Sequence, residues 1–114
     1  MIFVIDDDKV MAGCIAKATQ SDCLVFSNAI DAMRKISDNV LPDLIFLDIL
    51  LDGPDGFTFL NEISSYDDTA RVPVVIVSSL DFGGRDLSQY GVVGFLNKDT
   101  MLPEEIRRYV KKYI

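Results

Sequence analysis

Polar side chains equipped for chemistry stand in this sequence at the ends of short apolar runs. Asp6, Asp7 and Asp8 follow Ile2-Phe3-Val4-Ile5, and Asp48 follows Leu44-Ile45-Phe46-Leu47. Ser78 and Ser79 follow Val74-Val75-Ile76-Val77, and Lys98 follows Phe95-Leu96-Asn97. Asp48 most needs explaining, because a carboxylate inside an oily helix costs several kcal/mol unless paired, whereas one at the lip of a buried strand reaches solvent. If the strand ends converge, Asp6, Asp7 and Asp48 repel one another and raise at least one carboxyl pKa unless a cation neutralises them. Oxygen ligands of this kind suit a hard divalent ion, and Mg²⁺ typically takes a few carboxylates and a phosphate oxygen while keeping several waters. Lys98 and the Ser78 hydroxyl across the cleft are a point charge and a donor suited to holding a phosphoryl group. A carboxylate beside Mg²⁺ can itself be the nucleophile, giving an aspartyl phosphate. The chain has no histidine, which removes the commonest general base and zinc ligand.

The elements that must bring these residues together alternate along the chain. Ile2–Ile5 is apolar at every position, the pattern of a parallel strand covered on both faces. The spacing predicts a helix over about 9–19 with Val10, Met11, Cys14, Ile15 and Ala18 inward, then a strand over Cys23–Phe26. Ser27 or Asn28 can cap a helix from Ala29 to about Asp38 with Ile30, Met33 and Ile36 on one face. Leu44–Leu47 reads as the third strand, and a helix begins at Gly56 or Thr58 and ends near Tyr66. The two Asp-Gly pairs also admit a hairpin, which the helical spacing of Phe57, Leu60 and Ile63 opposes. Val74–Val77, β-branched throughout, is the fourth strand. Arg85–Tyr90 supports a short fourth helix, Gly91 and Gly94 bracket a turn, and Phe95–Asn97 is the fifth strand. Pro103 opens a fifth helix with Leu102, Ile106, Tyr109, Val110 and Tyr113 inward. These expectations amount to one α/β domain over residues 1–114, a flavodoxin-like doubly wound parallel sheet in the order 2-1-3-4-5 with five helices. In that order the first and third strands meet at the switch point, beyond whose carboxyl ends ligands sit.

Bulk properties narrow the function. The 114 residues suffice for a core without staples, and 49% hydrophobic content excludes disorder. No apolar run is long enough for a membrane span, and the start lacks a basic region and cleavage site, so a cytoplasmic location is expected. A net charge of −7 argues against a nucleic-acid surface. Cys14 and Cys23 are expected as buried reduced thiols. The basic face of the last helix, Arg107, Arg108, Lys111 and Lys112, reads first as solvated and second as a partner or dimer surface.

Together, Phe3-Val4-Ile5-Asp6-Asp7, Leu47-Asp48, Asp55-Gly56, Val77-Ser78-Ser79 and Gly94-Phe95-Leu96-Asn97-Lys98 resemble a response-regulator receiver domain of two-component signalling along essentially the whole chain. The resemblance implies that Asp48 accepts a phosphoryl group from a histidine kinase or histidine phosphotransfer protein. Asp6 and Asp7 would hold Mg²⁺, with a backbone carbonyl near Leu50. Ser78 would hydrogen-bond the phosphoryl oxygen, Lys98 would pair with it, and Phe95 would be the aromatic switch. Such a domain is no enzyme on a separate substrate; it takes part in its own phosphotransfer and slow dephosphorylation, and signals by binding a downstream effector protein.

The chain departs from the family's usual pattern in several places, among them Phe95, which lacks a hydroxyl, so that any switching there must work through packing alone. Asp99 follows Lys98 where the family usually has a proline, often cis; a cis bond to a non-proline residue costs about 3 kcal/mol, so a trans bond is expected. Asp52 stands where a proline is usual, with Pro54 two residues later, and the Gly83-Gly84 pair with a short fourth helix is expected to make the family's usual output face looser. These departures keep open a scaffold of the same fold that signals without phosphorylation. A phosphatase of the haloacid dehalogenase type, suggested by Asp6-Asp7-Asp8, would need a further acidic pair, and a flavodoxin-like nucleotide binder would be repelled by three aspartates.

Overall fold

The strands that carry the site are short and almost entirely buried. β1 (Ile2–Ile5), β3 (Leu44–Leu47) and β4 (Val74–Ser78) expose no residue to a significant degree, as continuous apolar runs require when both faces of a sheet are covered. The computed structural model describes residues 1–51, 55–80 and 86–114. With β2 (Cys23–Phe26) and β5 (Val92–Asn97), these strands form one parallel sheet in the order β2-β1-β3-β4-β5. Register follows the pleat: Ile2 pairs with Leu44 and Ile5 with Leu47, so β1 and β3 end at the same level.

Side chains alternate across this sheet into two cores. Phe3, Ile5, Ile45, Leu47, Val74 and Ile76 pack on one side with Phe59, Leu60 and Ile63 of α3 (Gly56–Ser64) and Ala29 and Ala32 of α2 (Ala29–Ser37). Ile2, Val4, Leu44, Phe46, Val75 and Val77 pack on the other with Ala12 and Ile15 of α1 (Lys9–Thr19) and Ile106 and Val110 of α4 (Pro103–Tyr113). The pairing of β4 with β5 slips between Val74↔Val92 and Val75↔Gly94, leaving Val93 as an extra residue. Val92 and Leu96, four apart, would otherwise share a face; the slip sends Val92 to the first core and Leu96 to the second.

Several expectations are corrected. Among the described residues there are four α-helices; where a short fourth was expected, Ser88–Tyr90 forms a single 3₁₀ turn. Asp86 Oδ1 accepts the Ser88 N–H and hydroxyl ahead of it, and Gly91 closes it at φ 79°, too short a span between turn residues for an α-helix. Gly94 lies inside β5, not in a turn. A Cβ there would sit 1.9 Å from the Tyr109 hydroxyl, so its lack of a side chain is what lets α4 lay Tyr109 on the sheet.

Helix faces are rotated from those expected. α1 buries Ala12, Ile15 and Thr19, which leaves Val10 and Cys14 exposed, and Cys23 is half-buried on the edge strand; both thiols are free but neither is buried. In α2, Ala29 and Ala32 are buried and Ile30 is exposed. Leu102 is exposed at the N-cap of α4, where its N–H donates to Glu105 Oε1 at 2.9 Å; leucine offers no acceptor to complete a reciprocal capping box. The loop positions Asp52, Pro54, Gly83, Gly84 and Arg85 lie outside the described residues. Among the described residues no helix is long and apolar enough to cross a membrane.

Candidate functional site

Asp6 and Asp48 emerge side by side because β1 and β3 share their last pair. The Asp6 N–H donates to the Phe26 carbonyl at 3.0 Å and the Asp48 N–H to the Ile5 carbonyl at 2.9 Å, carrying the ladder one residue past each strand. Each carboxylate then turns on its own loop. Asp6 Oδ1 accepts the Asp8 N–H at 2.9 Å, and Asp48 Oδ1 accepts the Leu50 N–H at 3.1 Å. Asp8 caps α1 by accepting the N–H groups of Val10 and Met11, which fixes the direction in which Asp6-Asp7 leaves the sheet.

Lys98 enters from the end of β5. Its N–H donates to the Ser78 carbonyl at 3.1 Å, and its Nζ lies 3.0 Å from both Asp6 Oδ2 and Asp48 Oδ2. The contact with Asp48 is a hydrogen bond; that with Asp6 is a charge pair outside hydrogen-bond geometry. Asp6 Oδ2 is therefore a buried oxygen with no hydrogen-bond partner among the described residues. Asp7 stands at the mouth, and one oxygen each from Asp6, Asp7 and Asp48 lie within 4.8 Å of one another.

The electrostatics reflect this crowding. Burial raises the Asp48 carboxyl above the ordinary carboxylate range, and Asp6 adds to the rise. Lys98 and the Leu50 N–H pull it back without cancelling it. Burial works against the charge of Lys98, but Asp6 and Asp48 outweigh it and hold the ammonium above its usual range. Lys98 remains the charged partner, and Asp48 carries the strain.

The other expected residues lie on β4, on β5 and in the segments that follow β3 and β4. Ser78 is buried at the end of β4, with its Oγ accepting the Leu80 N–H at 3.1 Å. Leu50 and Leu80, whose N–H groups bond Asp48 and Ser78, leave 56% and 50% of their surface exposed. Phe95 is 40% exposed on β5, so it is not a core residue. The Lys98–Asp99 bond is trans, like every peptide bond among the described residues. Gly56, which the sequence offered as a turn residue or the start of a helix, begins α3 and also packs against the acceptor segment. Its N–H donates to the Ile49 carbonyl at 2.9 Å, and a Cβ there would meet Ile49 Cα at 2.7 Å and the Asp48 carbonyl at 2.8 Å. Asp55 caps α3 through Oδ1, accepting the N–H and hydroxyl of Thr58. A groove of about 270 Å³ between the ends of α2 and α3, lined by Met33, Ile36, Glu62, Ile63, Tyr66 and Thr69, lies away from these carboxylates.

Comparison with known proteins agrees with the fold and the sequence pattern. The receiver domain of the sensor histidine kinase PA1611 from Pseudomonas aeruginosa, solved with a magnesium ion in its active site cleft, superposes with a TM-score of 0.80 at 20% identity, covering 98% of this chain and 94% of that one. Protein PilG of Pseudomonas aeruginosa is 31% identical over 119 residues, covering 99% of this chain and 86% of PilG. The response regulator PleD of Caulobacter vibrioides is 29% identical over 113 residues, 93% of this chain, which itself spans about a quarter (25%) of the length of PleD. The family model described as response regulator receiver domain matches residues 2–111, and the chain belongs to that family.

Proposed function

We propose that the domain is a phosphoacceptor switch in which Asp48 takes a phosphoryl group from a phosphohistidine on a histidine kinase or phosphotransfer protein. The observation that carries this reading is Lys98 Nζ held 3.0 Å from both Asp6 and Asp48 at the rim of the sheet. An oxygen of Asp48 forms the new bond to phosphorus as the bond from phosphorus to the histidine nitrogen breaks, and the electron pair of that bond leaves on the imidazole. Lys98 compensates charge on the incoming group, and Ser78 exchanges its bond to the Leu80 N–H for one to a phosphoryl oxygen. Phe95 and the surface around it then offer a changed face to an effector protein.

The donor set fits a divalent cation. Asp6 Oδ2 is buried and lacks a hydrogen bond, and Asp6, Asp7 and Asp48 are all oxygen donors, the set that Mg²⁺ prefers. Asp6, Asp7 and Asp48 would hold it, with the Leu50 carbonyl as a further ligand. When bound, Mg²⁺ supplies charge neutralisation and a point of attachment for a phosphate oxygen. Adding Mg²⁺ is expected to raise the thermal midpoint of the wild-type chain in a concentration-dependent way and to leave Asp6→Ala unmoved, as ligand linkage requires. A midpoint in the wild type indifferent to Mg²⁺ would remove the cation from this reading.

The alternative, a scaffold that signals without phosphorylation, draws on Asp99 in place of proline. Lys98 nonetheless reaches both carboxylates across a trans bond, so this departure does not dismantle the site. Incubation with Mg²⁺ and a small phosphodonor, followed by intact-mass analysis, separates the two: no mass gain in the wild type favours the scaffold. The exposed side chains of Leu50 and Leu80 flank the acceptor and shield the phosphoryl group from attacking water. The variant Leu50→Asn, Leu80→Ala is therefore expected to lose the phosphoryl group several-fold faster. Decay curves that superimpose on those of the wild type would show that these side chains do not control water access.

A further inference from the structure

We infer that Asn97 is a positioning residue for Lys98, doing by a side-chain hydrogen bond what a proline after the lysine cannot do in this chain. The inference rests on the phosphoacceptor reading for its consequence, but on geometry for its content. Asn97 ends β5 opposite Ser78, and the three amides after Lys98 all return to it. The Asp99 N–H donates to Asn97 Oδ1 at 2.8 Å, while the Thr100 and Met101 N–H groups donate to the Asn97 carbonyl at 3.2 and 2.8 Å. Upstream, the Lys98 N–H is anchored on the Ser78 carbonyl. Lys98 is thus clamped on both sides of its own Cα.

The bond from Asp99 is the informative one. A proline at that position has no N–H, so this closure exists only because residue 99 is not proline. Asparagine is suited to the task because its short side-chain carbonyl reaches the amide two residues on and folds the chain into a turn. Asn97 is exposed, so no core packing explains its place. Lys98, by contrast, is only 17% exposed along its side chain, and a small rotation of its backbone would carry Nζ away from the two carboxylates it touches at 3.0 Å.

Labelling of Lys98 by an amine-reactive ester, read by peptide mass mapping with Lys111 and Lys112 as internal standards, tests this without requiring phosphorylation. Asn97→Ala is expected to label about two- to tenfold faster at Lys98, the span that the loss of one hydrogen bond allows. Asn97→Asp keeps the accepting oxygen and is expected to label like the wild type. Placed in an Asp99→Pro background, where the donor is gone, Asn97→Ala is expected to add nothing further. Thermal unfolding confirms that each variant is folded. Phosphoryl uptake from acetyl phosphate with Mg²⁺ should slow in parallel in Asn97→Ala and recover in Asn97→Asp. Unchanged labelling in Asn97→Ala, equal acceleration in Asn97→Asp, or an undiminished effect in the proline background would each overturn the inference. Absence of uptake in the wild type would instead strike the phosphoacceptor reading and leave the labelling result standing.

Discussion

Asp48→Asn is expected to take up no phosphoryl group from a small phosphodonor with Mg²⁺, while its thermal midpoint stays at or above that of the wild type. The two halves of this expectation come from the same geometry. An amide oxygen is no nucleophile, so uptake is lost entirely. The fold, however, holds the Asp48 carboxyl above its ordinary range, chiefly through burial and then through Asp6, and Lys98 does not fully compensate. An acid whose pKa is raised on folding destabilises the folded state once pH passes its unfolded pKa, so at neutral pH the ion is held at a cost. Asparagine keeps an oxygen for the Leu50 N–H and removes the repulsion with Asp6. Intact mass and thermal unfolding check the pair. A midpoint lower by ~4 °C or more, on the order of 1 kcal/mol, would mean that the attraction to Lys98 outweighs burial.

Gly56→Ala is expected to destabilise the domain by about 1–3 kcal/mol, the usual cost of overpacking. Helix propensity alone gives the opposite sign, since alanine is better than glycine inside a helix by up to ~1 kcal/mol. Sterics win because the obstacle is backbone: Ile49 Cα at 2.7 Å and the Asp48 carbonyl at 2.8 Å cannot rotate aside. α3 or the Asp48-Ile49 segment must shift, so phosphoryl uptake should slow as well, though Gly56 touches no reacting atom. Gly13→Ala is the control. It lies on α1 with nothing within 4 Å of a new Cβ, and is expected to stabilise by at most ~1 kcal/mol. Denaturant unfolding of the two variants decides the matter, and the same sign for both would discard the steric account.

The sheet and its order were legible because parallel strands buried on both faces are written as unbroken apolar runs. Asp6, Asp48 and Ser78 stand out for the same reason, each being the polar residue at which such a run stops, whereas Lys98 follows Asn97 on an edge strand whose Val93 and Phe95 are exposed. Helix faces were harder. α1 is apolar or small almost all round, from Val10 through Ala18, so spacing allowed several stripes and the sheet selected Ala12 and Ile15 over Val10 and Cys14. Gly94 resembled a turn because a lone glycine carries no sign of what fills its missing side chain, here Tyr109. Asn97 passed as the last residue of a strand. Its signal was present as an asparagine two residues before an amide that a proline would have lacked, but only the hydrogen bond makes it visible.

The slip at Val93 has a consequence for how length may vary in this strand. Strand residues present opposite faces in turn, and the extra residue inverts that phase between Val92 and Leu96. Everything downstream, up to the lysine, inherits the inverted phase. Spacing counted back from Lys98 is therefore physically meaningful, whereas spacing counted forward from Gly91 is not. Without Val93, Val92 would stay opposite Val74 and Leu96 opposite Val77 in an unbroken ladder. Loss of a residue between Gly94 and Leu96 would instead put Leu96 out of phase with Val77, so what a deletion does in the fifth strand depends on which side of the slip it falls.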